Sequence, residues 1–123
     1  MAGPIGFASV LAVRDLAVSK PFWIQKLGFE VRMEDGGWLF LKRGAFFVHL
    51  GECPDAAPIT AAPDHAWFAY VKVDDATALH DEYVGKGVEI WHPIADKEWG
   101  MREFAIVTVD GHRIVFGQDL GTK

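Results

Sequence analysis

The sequence predicts an α+β fold of two tandem βαβββ modules. Each module is expected to be an open, mostly antiparallel half-barrel sheet with its helix outside. Three observations carry this. Val13-Arg14-Asp15 and Val73-Asp74-Asp75 stand 60 residues apart. Each is followed by a helix-like stretch closed by a glycine, Gly28 in the first case and Gly87 in the second. The residues around those glycines also correspond, Lys26-Leu27-Gly28-Phe29-Glu30-Val31 against Gly85-Lys86-Gly87-Val88-Glu89-Ile90. Matching order and spacing together read as an internal repeat.

Ile5 to Val13 is an apolar run rich in β-formers and is expected as the first strand. The helix after it has two candidate starts. Asp15 can cap it, or Ser19 can, with Pro21 in the first turn where a missing N–H costs little. Ser19 is favoured, because Pro21 deep in a helix begun at Asp15 removes a hydrogen bond. Leu16, Trp23 and Leu27 form a one-sided apolar stripe. Phe29–Met33 and Trp38–Lys42 are expected as strands joined by Glu34-Asp35-Gly36-Gly37, and Ala45–Leu50 as a third after Arg43-Gly44. Gly51 to Asp64 holds three of the six prolines and little periodicity, which marks a linker.

The pattern then restarts. Trp67–Val73 reads as a strand, and Asp74-Asp75 caps a helix running to about Lys86 with Leu79 and Tyr83 four apart. Val88–Trp91 reads as the next strand. Glu98 to Gln118 then gives a Trp-Gly loop, an apolar strand, a tight turn at Asp110-Gly111 and a final strand. The expected organisation is one domain, with module one at about residues 5–51, a linker at 52–64 and module two at about 65–118. Each helix covers one sheet face. Two such sheets facing each other leave a half-open cavity, a natural ligand site.

Bulk properties narrow the function. Half of the 123 residues are apolar, enough for a core. A net charge of −5 argues against a phosphate-backbone partner and is compatible with a cationic ligand. Cys53 is alone, so no disulfide forms within the chain and a reducing compartment fits. No apolar run approaches the roughly 18 to 20 residues of a membrane span. The start, MAGPIGF, lacks a basic segment followed by a long apolar one, so cytoplasmic residence is expected.

The chain resembles the vicinal oxygen chelate superfamily of glyoxalases, extradiol dioxygenases, fosfomycin-resistance enzymes and bleomycin-binding proteins. The residues that carry the resemblance are Val13-Arg14-Asp15-Leu16, Phe22-Trp23, Leu27-Gly28-Phe29, Val73-Asp74-Asp75, Trp99-Gly100-Met101-Arg102-Glu103-Phe104 and Asp110-Gly111-His112-Arg113-Ile114. Trp-Gly, then Arg-Glu-Phe, then Asp-Gly is most similar to the bleomycin-resistance branch. The resemblance implies paired βαβββ modules forming an open barrel, and a homodimer.

Metal-dependent members hold a divalent ion with four strand residues, typically His or Glu, leaving open positions for substrate. Carried onto this chain, those positions are Ala8, Phe68 and Val115, with His49 or Val48 as the fourth. Three of the four lack a ligand atom, so the expectation is no metal, no cofactor and no catalytic residue. Moving the register by one residue, to Ser9, Trp67 or Ala69, and Ile114 or Phe116, supplies none.

The remaining candidates are ligand contacts. Five tryptophans are many for this length. Trp23 belongs to the helix stripe and to the core. Trp38, Trp91 and Trp99 lie on strands or loops, where they either complete the core or stack on a flat or cationic ligand. Phe40 joins them, and strand parity puts Phe68 and Tyr70 on the cavity side with Ala69, Val71 and Val73 toward the helix. His49 is either a strand histidine bonded to a neighbour or a cavity donor. Arg102 and Glu103 are expected as an ion pair, or one of them points into the cavity mouth. His65 and His112 are expected in solvent, His80 on the outer side of its helix and His92 at a strand end. Cys53 has no base beside it and is not expected to be a nucleophile.

The expectation is a metal-free binding protein that sequesters a small aromatic or cationic molecule in an aromatic-lined groove, with no nucleic-acid or membrane partner. A metal-dependent lyase, isomerase or dioxygenase is the alternative, and a regulatory module with a vestigial cavity is a third.

Overall fold

A computed structural model of the chain describes residues 2–57 and 67–121. The expected linker beyond residue 57, and His65, lie outside the described residues. The chain divides into two compact units, Met1–Ala57 and Pro58–Lys123. The first contains β1 (Ser9–Val13), α1 (Leu16–Pro21), β2 (Glu30–Asp35), β3 (Trp38–Arg43) and β4 (Phe46–Glu52). The second contains β5 (Ala69–Lys72), α2 (Ala76–Gly85), β6 (Glu89–Asp96), β7 (Met101–Val107) and β8 (Arg113–Asp119). The sheets are ordered β1-β4-β3-β2 and β5-β8-β7-β6. In each, the first strand runs parallel to the last and the other pairs are antiparallel. This is the α+β architecture with two tandem modules that the sequence predicts.

The repeat reaches down to the helix caps. Asp15 accepts from the Ala17 N–H at 2.9 Å, and Asp75 from the Ala78 N–H at 3.0 Å. The first N–H of each helix is taken by the end of the last strand: Leu16 donates to Glu52, and Ala76 to Gln118, both at 2.9 Å. Orphan donors of the first turn are thus satisfied twice, by the same pair of elements.

Asp15, and not the favoured Ser19, begins the first helix. Pro21 consequently falls in its last turn. Pro21 has no N–H, and in a helix its ring crowds the carbonyl four residues back. The chain widens at that point into a π-helical turn, Phe22–Lys26, in which the Leu27 N–H reaches back five residues to Phe22. Ser19 is instead fully buried, its hydroxyl bonded to the Asp15 carbonyl. Gly28 and Gly87 close the helices at positive φ, as expected.

Strand ends differ from expectation where pairing decides them. β1 starts at Ser9, the first residue opposite β4, and leaves Ile5 and Phe7 exposed. β5 is shorter than Trp67–Val73. β6 is longer than Val88–Trp91, running through Pro93 with two register shifts. It is an edge strand, where proline sacrifices no ladder bond and bulges are tolerated. The Asp110-Gly111 turn is wider than a two-residue turn. Thr108 and His112 pair across it, and Gly111 supplies the positive φ.

Each core lies between a sheet and its helix. In the first unit Trp23 meets Phe29 edge-on at 4.9 Å, above Leu39, Leu41, Val48 and Leu50, all fully buried. In the second, Tyr83 and His80 pack onto Phe104, which stacks on Phe116 at 5.3 Å. His80 therefore faces the sheet and not the outer side of its helix.

Candidate functional site

Strand alternation that buries one face delivers the other to solvent. In the first unit the open face carries Trp38, Phe40 and His49. Phe40 and His49 are cross-strand partners with rings 4.3 Å apart, and Trp38 lies 6.3 Å from Phe40. Trp38 stands opposite Gly51, and a Cβ there would come within 2.9 Å of the indole. The glycine is the floor on which the tryptophan rests. Three expected ligand contacts thus form one continuous aromatic surface.

In the second unit, Trp67, Tyr70, His92, Pro93, Lys97, Glu103, Phe104, Ala105 and Val115 line a cleft of about 90 Å³. A drug-sized ligand needs roughly 300 Å³ or more, so this cleft suits one ring or one charged end. Tyr70 donates to Glu103 Oε2 at 2.6 Å, and Trp99 donates to the same oxygen at 3.1 Å. Burial, then the adjacent carboxylate, push the Tyr70 phenol above its ordinary value. Tyr70 lies over Gly117 as Trp38 lies over Gly51: a Cβ on Gly117 would overlap the phenol oxygen and approach Cζ to 2.7 Å.

Two predictions follow from this geometry. The unfolded chain ionises Tyr70 first as pH passes about 10. Stability contributed by the phenol is therefore complete below that pH and declines above it. The melting-temperature advantage of wild type over Tyr70→Phe should shrink as pH rises above about 10; parallel profiles would contradict the raised phenol. Gly117→Ala should swing Tyr70 off its shelf at a stability cost of about 1 kcal/mol, and the phenol's spectroscopic titration should fall toward the free value.

The remaining expected residues sort differently. Arg102 and Glu103 do not pair. Neighbours on a strand point to opposite faces, and Arg102 binds Asp96 through two bonds of 2.7 and 3.1 Å and reaches Thr77 of α2. Arg102 is therefore apart from the cleft, while Glu103 is in it. Phe68 meets His112 edge-on at 4.6 Å at the margin of the same sheet. His112 is buried and not solvated, because its backbone closes the turn with Thr108; burial lowers its pKa. Trp91 has one ring face covered by the Arg113 guanidinium, 4.1 Å away. Trp99 is 64% exposed.

Trp67, His92, Pro93, Lys97 and Ala105 line the cleft without having been expected. His92 reaches it through the β6 bulge, which sequence spacing does not reveal. The chain's repeat gives a further correspondence. Val10 pairs with His49, and Tyr70 with Val115, so His49 and Val115 hold equivalent places. Two residues earlier stand Phe47 and Arg113. Arg32 lies over Phe47 at 4.9 Å in one unit, and Arg113 over Trp91 in the other. The cation and the ring have exchanged strands.

Residues 6–116 match the model of the Glyoxalase/Bleomycin resistance protein/Dioxygenase superfamily. The chain belongs to this superfamily. A search of curated proteins finds no match. Among solved structures, the bleomycin-binding protein of Streptomyces verticillus, complexed with copper(II)-bleomycin, is 27% identical with a TM-score of 0.75, covering 94% of this chain and 97% of that one. A bleomycin resistance determinant encoded on transposon Tn5 is 23% identical with a TM-score of 0.78, covering 94% and 98%. A glyoxalase/bleomycin resistance protein/dioxygenase from Alicyclobacillus acidocaldarius is 15% identical with a TM-score of 0.77, covering 98% and 96%, and shares the fold.

Members of the superfamily that use a metal need donors on the sheet strands. The residues of this chain do not fit that requirement: Ala8, Phe68 and Val115 are hydrocarbon, and the strand pairing fixes His49, not Val48, as the equivalent of Val115. Among the described residues, no three His, Cys, Asp or Glu side chains are grouped so as to hold a metal ion. Nor, among them, is any helix long and apolar enough to cross a membrane.

Proposed function

We propose that this protein is a metal-free, small-molecule binding protein of the bleomycin-resistance type, which protects by sequestering an aromatic or cationic compound. The observation that carries the reading is the open-face chemistry. Trp38, Phe40 and His49 give a flat aromatic surface on one sheet. Tyr70 and Trp99 hold a carboxylate, Glu103, on the other. Rings attract flat and cationic ligands, and a carboxylate attracts the positive end. Sequestration needs affinity and no bond-making, which agrees with a donor set unsuited to a metal. The bleomycin-binding neighbours support the same class. Trp91, Phe68 and Arg102 enter as edge and support residues, because their partners are within the fold. Cytoplasmic residence and a homodimer belong to the reading.

Tryptophan emission titrated with a panel of planar cationic drugs tests it. Saturable quenching by at least one is expected, weakened about tenfold by Trp38→Ala or Trp99→Ala. Unchanged emission across the panel would contradict it.

A further inference from the structure

We propose that the cleft on the second unit recognises a zwitterion, with an ammonium group on Glu103 and a carboxylate on Lys97. This deepens the reading above and rests on that face being a small-molecule site. Tyr70 and Trp99 both donate to Oε2 of Glu103, which fixes the carboxylate in the cleft. Among the described residues Oε1 accepts no hydrogen bond, so one lone-pair-bearing oxygen of a fixed anion is left for a ligand donor.

Lys97 lines the same cleft. Its ammonium stands 6.0 Å from the centre of the Trp99 ring, and among the described residues it forms no ion pair. Lys97 shares the face of Glu103 because Ala95 is the cross-strand partner of Glu103 and Lys97 lies two residues further along that chain. One indole is thus flanked by an anion bonded to its N–H and by a cation over its ring. A purely cationic ligand engages Glu103 and leaves Lys97 unanswered, and a purely anionic one does the reverse. Only a ligand carrying both charges close together satisfies both. The cleft of about 90 Å³ is small enough to take the charged head of such a molecule. An aromatic substituent would leave it across Trp99, which is exposed to receive it. The ligand class is an aromatic amino acid or a compound ending in an amino-acid-like head.

Three probes sharing one ring test this: phenylalanine, phenethylamine and 3-phenylpropionate, each titrated against the full chain by tryptophan emission and by chemical-shift perturbation. Phenylalanine is expected to bind about tenfold tighter than either single-charge analogue. Glu103→Gln should erase its advantage over 3-phenylpropionate, and Lys97→Met its advantage over phenethylamine. Phenethylamine binding as tightly as phenylalanine, with Lys97→Met silent, overturns the zwitterion assignment and leaves the binding reading standing. Silence toward all three also overturns the assignment; bleomycin added to the same sample then decides the binding reading separately.

Discussion

Replacing Trp23 by alanine is expected to lower folding stability by about 3 to 5 kcal/mol. Trp23 is fully buried, lies edge-on to Phe29 and sits where the π-helical turn meets the sheet. Its indole N–H has no hydrogen-bond partner among the described residues, so its contribution is packing and burial. Removing it leaves a cavity that the turn imposed by Pro21 cannot easily collapse. Trp23→Phe should cost less than half as much, because it keeps the edge contact and deletes the unpartnered N–H. Urea unfolding measures both; a loss below about 1 kcal/mol for the alanine variant would show that Trp23 is not the keystone of this unit.

Glu103→Gln is expected to weaken a cationic ligand by about ten- to a hundredfold, the range of a charge-assisted hydrogen bond. The substitution isolates charge from scaffold. A glutamine carbonyl can still accept from Tyr70 and Trp99, so the two rings keep their places. Melting temperature should change little, and affinity should fall. Raising ionic strength should weaken wild type more than the variant, since only the wild type presents a full charge. Equal affinities at low salt would remove Glu103 from the ligand's reach.

The fold was legible because the repeat is written in residues whose local chemistry is strong. Asp15 and Asp75 cap, Gly28 and Gly87 end helices, and strand alternation separates Leu39 and Leu41 from Trp38 and Phe40. The first helix start was not legible, because Pro21 argues locally against a helix begun at Asp15, while a π-helical turn lets the chain keep both. The candidate face was legible on the first unit as a surface, where Trp38 and Phe40 share a parity and pairing brings His49 beside Phe40. On the second unit it was half legible. Parity also separates Arg102 from Glu103, yet their adjacency suggested an ion pair. His92 lies inside β6 and not at a strand end, and neither its face nor that of Trp91 could be read, because bulges break the two-residue period. Trp67 lies before β5 begins, and Lys97 follows the expected end of its strand at Trp91, so neither carried a face that the sequence could assign. His112 was expected in solvent from the Asp-Gly signal, but the turn is one residue wider and draws its imidazole inward.

Binding in this protein is expected to need no metal. The measurement that tests this most directly is calorimetric titration, into chelator-treated protein, of the non-chelating planar cationic drug that quenches tryptophan emission. Saturable binding with unchanged affinity after adding Zn²⁺, Mn²⁺, Ni²⁺ or Fe²⁺ to the protein is the expected result. Binding that appears only once such an ion is restored, together with near-stoichiometric metal in protein purified without chelator, would contradict it.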